Sequence, residues 1–267
     1  MESEGLNKFL EIVGDAVHSV NTICVGLSSV ASGAAVKPSD LTIGWSSSNP
    51  DTAAAKARLF ALRGSLVFVE EALLKYLDFL KACLTDEPKI STALASEGAA
   101  ERVIGVSKFL SNAEPYWWPM VVLLIRWRNK VVHESTIRLT VHQANLLTNN
   151  ADALKNKHAG IEISQTLSNF ESGQITLKDF TTLIAVTVRF VRMLDEELEP
   201  RLHTLEGFEI RLKQRNLVRV FNQLMNSNGE ETRRRKLKAF LQSEFSAVPD
   251  TFFEEIYKNG PISQPRA

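Results

Sequence analysis

The feature that most restricts the fold of this chain is a spacing. Between Asp51 and Leu84, apolar side chains fall at Leu59, Leu62, Leu66, Val69, Leu73, Tyr76/Leu77, Leu80 and Leu84, in steps of three and four. An α-helix brings such positions onto one face, because about 3.6 residues complete a turn. The steps predict a long core helix that starts after the Pro50 turn. Asp51 or Thr52 is its expected cap, since either side chain can accept from a free amide of the first turn. A weaker helical pattern covers residues 6–32 through Leu6, Phe9, Leu10, Val13, Val17 and Val20. Between the two, "KPSDLTIGWSSSNP" is rich in Pro, Gly and Ser and reads as a loop or linker.

Downstream, residues 103–109 form a short helical pattern that "AEPYWWP" breaks. An apolar helix is expected over 117–132, with Pro119 in its first turn, where a missing N–H is no loss. Further helices are expected over 139–157 and 176–202, followed by a turn at "HTLEG" and two or three helices between 208 and 258. Alternating β-branched runs are scarce and no repeat stands out, so the fold class is all-α, an up-and-down helical bundle. With 44% hydrophobic residues in 267, the chain can bury one large core or two small ones. Composition suggests a helical extension and linker over 1–50, a bundle over 51–202 and a C-terminal helical module over 203–267. Residues 205–267 carry eleven Lys/Arg against eight Asp/Glu. Their "TRRRKLKAF" reads first as a solvated helix face and second as an RNA-binding groove.

Thirty-one basic and thirty-one acidic side chains cancel, so attraction to nucleic acid has to come from local patches. Cys24 and Cys83 lie far apart, without the spacing of a zinc site or a disulfide framework. His18, His142, His158 and His203 are scattered without ligand spacing, and no metal or other cofactor is expected. Walker, G-x-G-x-x-G and G-x-S-x-G sequences do not occur. The acidic start "MESEGLNKFLEIVGDAV" is unlike a secretory signal. The apolar run 117–125 is about half the ~20 residues that cross a bilayer. A soluble, cytoplasmic protein with no membrane partner is the expectation.

One segment carries chemistry. "RWRNKVVHE", residues 126–134, follows the uncharged "WWPMVVLLI". On a helix, Arg126, Asn129 and His133 share one stripe while Trp117, Val121, Leu124, Arg128 and Val132 share another, so the polar groups gather in the last two turns. A His exchanges protons near neutral pH, and a guanidinium stays charged and grips phosphate bidentately. Together they suffice for metal-free phosphodiester cleavage by a neighbouring 2′-hydroxyl. A purely structural reading stands beside this one: Arg128 pairs with Glu70 or Glu71, and His133 favours the negative end of the helix dipole. Trp117 and Trp118 could stack on a base, but two aromatics leading into an apolar helix fit a core better.

"RNKVVH", closing a buried helix after a long helix that carries "VEEALLKYL", resembles the signature of the HEPN superfamily. That signature is an Arg, a polar residue, and a His four to six positions after the Arg. The resemblance covers residues 51 to about 202. It implies a helical bundle with metal-independent endoribonuclease activity, usually as a homodimer whose two motifs line one cleft. Carried onto this chain, Arg128 would stabilise the phosphate, Asn129 would bond to substrate or hold the pair, and His133 would be general base or acid. Glu70 or Glu71 would face the site, and Arg126 would add a second phosphate contact. RNA is the implied substrate. The family also suggests a toxin or defence effector restrained by an antitoxin or other regulatory protein. A non-catalytic HEPN-type module binding nucleotide, RNA or protein is the alternative. Helix geometry supplies a separate argument for a dimer: five positions turn Arg128 and His133 roughly 140° apart and about 7.5 Å along the axis. On that account one chain would not easily bring both to one phosphate, whereas an isologous pair with its interface at residues 115–133 could.

Overall fold

The computed structural model describes residues 2–45, 49–84, 87–133, 136–245 and 248–262. Every regular element among them is a helix, as the apolar spacing requires. Residues 46–48 of the expected loop, and Glu134 after the motif, lie outside the described residues. The described part of that loop, 37–45, contains turns and bends only.

In chain order the first helices are α1 (Glu4–Ala31), α2 (Pro50–Cys83), α3 (Pro88–Leu94) and α4 (Ala99–Ser107). The cap of α2 is neither Asp51 nor Thr52. The Asn49 side-chain carbonyl accepts from the Thr52 amide at 3.0 Å, and Pro50 takes the first helical position, where its fixed φ suits the helix. Next come α5 (Trp117–His133), α6 (Val141–Asn149), α7 (Ala151–Lys157), α8 (Ile163–Ser172) and α9 (Leu177–Leu202). The single helix expected over 139–157 is two. Thr140 and Gln143 form a reciprocal capping box at the start of α6, and at its end the Asn150 amide group turns back to donate to Leu146 O at 2.8 Å.

The last four are α10 (Leu205–Gln214), α11 (Val218–Met225), α12 (Glu230–Phe245) and α13 (Asp250–Asn259). The segment "HTLEG" is a helix start rather than a turn: Thr204 accepts from Gly207 N at 3.1 Å and α10 begins at once.

The contacts of the chain gather into two units with interleaved ranges, 1–9 with 74–112 and 191–267, and 10–73 with 113–190. The segment 203–267 falls wholly within the first, where it has a core of its own. Phe208 packs at ring distances of 5.1 to 6.2 Å on Phe221, Phe245 and Phe252, and Leu212, Leu237 and Leu241 are buried around them. In the same unit the buried Asp195 carboxylate accepts from the Ser3 amide at 2.9 Å and the Tyr76 hydroxyl at 3.2 Å, which ties down the start of the chain.

The other unit is built on α5. Met120 through Ile125, and Trp127, are buried all round the helix, the state that an uncharged run of this length demands. Pro119 is the third helical residue, inside the first turn. The apolar surface proposed for a two-fold interface at 115–133 is therefore mostly core of the chain itself, with Val132 its one large exposed hydrophobic. Helix α8 is held at its C-terminus by two cations. Lys130 Nζ donates to the carbonyls of Phe170 at 3.0 Å and Glu171 at 2.7 Å, and Arg63 donates to Gly173 O at 2.8 Å. Positive charge belongs there, where unpaired carbonyls and the helix dipole point. Gly173, at φ 70°, supplies the left-handed cap. Beyond it, the Asp179 carboxylate accepts from Thr166 at 2.7 Å and Asn169 at 2.8 Å in α8, and from the Thr176 amide at 3.0 Å.

Candidate active site

The site forms where α5 runs out of apolar sequence. The helix is anchored along Met120–Ile125, so its last two turns project Arg128, Asn129 and His133 as partly or fully exposed groups. Arg128 is the hub. Its Nη1 donates to Asn129 Oδ1 at 3.0 Å and lies 3.3 Å from His133 Nε2. A guanidinium can only donate, so a hydrogen bond across this contact has Nε2 as its acceptor. The His133 ring thus stands directly against the Arg128 guanidinium.

On its other edge Arg128 Nε stands 2.6 Å from Glu70 Oε2. Its N–H is not aimed along that line, which makes the contact an ion pair by distance more than a straight hydrogen bond. The Glu70 side chain is 4% exposed and that of Arg128 24%. Burial raises the Glu70 carboxyl above its ordinary range. The Arg128 charge pulls it back, and neighbouring Glu71 pushes it further up. Of the two acids left open by the sequence, Glu70 is the one that meets the motif, while Glu71 is exposed.

The convergence of Arg128 and His133 within one chain overturns the geometric case for a composite site. Cα positions five apart diverge, yet a long guanidinium arm and an imidazole leaning from the last turn still meet. Arg126 does not join them in the same way. Its guanidinium donates to the Arg138 backbone carbonyl and ties the segment after the helix, so a second phosphate contact would compete with that bond. Sequence reasoning missed Lys130, two residues past Arg128, which holds α8 beside the site. A cationic residue next to the motif was the available signal.

His158, His142 and Trp118 have structural settings. His158 is buried between the Tyr116 hydroxyl, 3.3 Å from Nε2, and Arg189, 3.0 Å from Nδ1. Burial, with Arg189 and Lys157 adding to it, pushes its pKa down to about 4. Trp118 packs beside His142 at 6.1 Å. Among the described residues no group of three or more His, Cys, Asp or Glu is placed to hold a metal ion, and Cys24 and Cys83 are free thiols. By length and mean hydropathy alone, α1 is able to cross a membrane; the run 117–125 is not the segment that raises this question.

Comparison with protein-family models, characterised proteins and solved structures finds no match for the chain.

Proposed function

We propose that the chain is a metal-independent endoribonuclease of HEPN type. The observation that carries this reading is the hub: one guanidinium held by a buried carboxylate stands within hydrogen-bond reach of both an amide side chain and an imidazole, at the exposed end of a helix anchored in the core. Binding a phosphodiester replaces the Arg128–His133 contact. Arg128 then holds the non-bridging oxygens, where charge builds as the ribose 2′-hydroxyl attacks phosphorus. His133 Nε2 takes the 2′-hydroxyl proton. The His133 imidazolium returns that proton, through water, to the leaving 5′-oxygen, and the products are a 2′,3′-cyclic phosphate and a 5′-hydroxyl. Asn129 orients the guanidinium, and Glu70 positions it from behind. Both catalytic side chains come from one protomer, so the homodimer that the family resemblance suggests is not needed to assemble the site. A role as toxin or defence effector, restrained by an antitoxin or another regulatory protein, belongs to the same proposal, as does a cytoplasmic location.

A second reading is favoured by the Arg128–Glu70 pair, which also occurs in purely structural networks, and by the balanced charge of the chain. On it the bundle binds nucleotide, RNA or a protein without chemistry. The deciding experiment incubates pure protein with single-stranded and structured RNAs in EDTA, comparing wild type with His133→Ala. Cyclic-phosphate ends made by wild type and lost in the variant support the nuclease. Equal cleavage by both removes His133 from the mechanism, and no cleavage across a broad RNA panel leaves the binding module.

A further inference from the structure

Within the unit formed by 10–73 and 113–190, cations lead away from the hub along α2. Lys56, Arg63 and Glu70 follow one another at seven-residue steps and so share one stripe of the helix. Glu70 meets Arg128. Arg63 donates to Gly173 O, close to the Phe170 and Glu171 carbonyls that Lys130 holds. Just past Gly173, residues Gln174, Ile175 and Leu177 join Lys56, Arg58 and Leu59 in lining an open trough of about 430 Å³. The trough has two kinds of surface. Leu59, Ile175 and the partly exposed Leu177 form an apolar shelf, and Lys56 and Arg58 supply positive charge. No acid lines it, and among the described residues neither cation pairs with a carboxylate. Asp179, which bonds to Thr176 in the trough wall, is buried with its oxygens also accepting from Thr166 and Asn169. Arg58 Nε and Arg63 Nε are buried without a hydrogen-bond partner, and a buried donor left unpaired is costly.

We infer that the trough is a subsite for a nucleotide of the RNA strand remote from the scissile bond, with its phosphate on Lys56 and Arg58 and its base on the apolar shelf. The inference rests on the endoribonuclease reading in placing RNA at the hub. Phosphate calls for charged donors, and an unstacked base offers a flat face that apolar groups can cover. Here the two requirements are met side by side, in a volume of the order that holds one small ligand, about 300–1,000 Å³. The spacing suits a strand. Arg58 stands twelve residues before Glu70, about 18 Å along the helix axis, the length of about five stacked nucleotides at ~3.4 Å each. Between those ends Lys130 and Arg63 keep positive charge beside the route. That continuity from Arg128 to Arg58 favours one strand over a separate mononucleotide.

The test reads binding first and cleavage second, on the full chain. Fluorescence anisotropy gives the affinity for a 2′-methoxy RNA of about twelve nucleotides, which spans hub to trough at ~3.4 Å per nucleotide and lacks the attacking hydroxyl. Lys56→Ala combined with Arg58→Ala should weaken binding at least about tenfold. It should also flatten the dependence of log affinity on log salt by about 0.7, the share of one phosphate contact on a single strand. Lys56 is exposed and Arg58 partly so, and the double variant should keep the wild-type circular dichroism spectrum and melting temperature. Lys8→Ala with Lys37→Ala removes equal charge from exposed positions outside the trough and should leave affinity and salt dependence unchanged. In cleavage assays the trough variant should raise KM for the long RNA at constant kcat, and should cut a dinucleotide, too short to reach the trough, as wild type does. A wild-type chain that binds with these differences and cleaves nothing removes the nuclease reading and keeps the subsite. Absence of binding by wild type overturns the inference. So does a trough variant that binds like wild type, or an equal loss from the Lys8 and Lys37 pair.

Discussion

Removing Arg128 does two things at once, and the structure separates them. Arg128→Ala takes away the group proposed to bind phosphate, and it also leaves Glu70, 3% exposed, without its counter-charge. Stripping one partner from a buried ion pair costs about 3–5 kcal/mol. Arg128 keeps a quarter of its side chain in solvent, so screening brings the expected loss to about 2–3 kcal/mol at neutral pH. The loss depends on pH in a definite sense. Burial already raises the folded-state pKa of Glu70, and Arg128 is the main influence lowering it, so the variant raises that pKa further. A carboxyl whose folded pKa lies above its unfolded value, near 4.5, favours the folded state fully below the unfolded pKa. That contribution is lost as pH rises through the folded pKa. Arg128→Ala should therefore be most destabilised at neutral to alkaline pH and approach wild type as the solution is acidified toward the ordinary Glu range. Glu70→Gln, combined with it, removes the stranded charge and should recover about 1–2 kcal/mol of the deficit. The assay is urea denaturation followed by far-UV circular dichroism at neutral and mildly acidic pH, for wild type, both single variants and the double variant. A deficit that is unchanged or larger in acid, or a double variant with no recovery, would refute the electrostatic account of the pair. The activity of Arg128→Ala is accordingly interpretable only under conditions where its folded fraction has been measured.

His133 is exposed and outside the core, so His133→Ala should keep wild-type stability while lowering cleavage about 100-fold or more; parallel melts and cleavage rates check both halves. The same cleavage should persist in EDTA and fail on RNA whose scissile 2′-hydroxyl is methylated, as resolved on denaturing gels. Asn49→Ala removes the cap of α2 and should cost about 1 kcal/mol in urea unfolding. Lys130→Ala strips two carbonyl bonds from the C-terminus of α8 and should cost about 1–2 kcal/mol, with amide exchange accelerating in α8 before it does in α5.

Helices with long apolar stripes were legible in the sequence to within a few residues. Helix α2, expected over 51–84, runs from Pro50 to Cys83, and α9, expected over 176–202, runs from Leu177 to Leu202. The misses have two causes. "ISQTLSNFES" buries only Ile163, Thr166 and Phe170, and no helix is named there from sequence, since its Ser, Thr, Asn and Gln residues compete for backbone bonds in isolation. Tertiary partners, Lys130, Arg63 and Asp179, supply what propensity does not. Helix α3 is only seven residues long, too short to establish a period. At the site, the residues of the motif could be named but their geometry could not. Whether Glu70 or Glu71 turns inward depends on the rotation of α2, which adjacent acids do not reveal. The meeting of Arg128 with His133 depends on side-chain reach, which a count along the helix axis ignores.

The carboxylate of Asp179 bears on how this chain can change over generations. Connections between helices are usually where insertions accumulate, since lengthening a surface loop disturbs little. The joint between α8 and α9 is closed to that route: one side chain accepts bonds from both α8 and Thr176, and an added residue would break the register on which all of them depend. The segment 37–45, with no helix or strand of its own, offers the opposite case, so variation in length should collect there and be rare between Gly173 and Asp179.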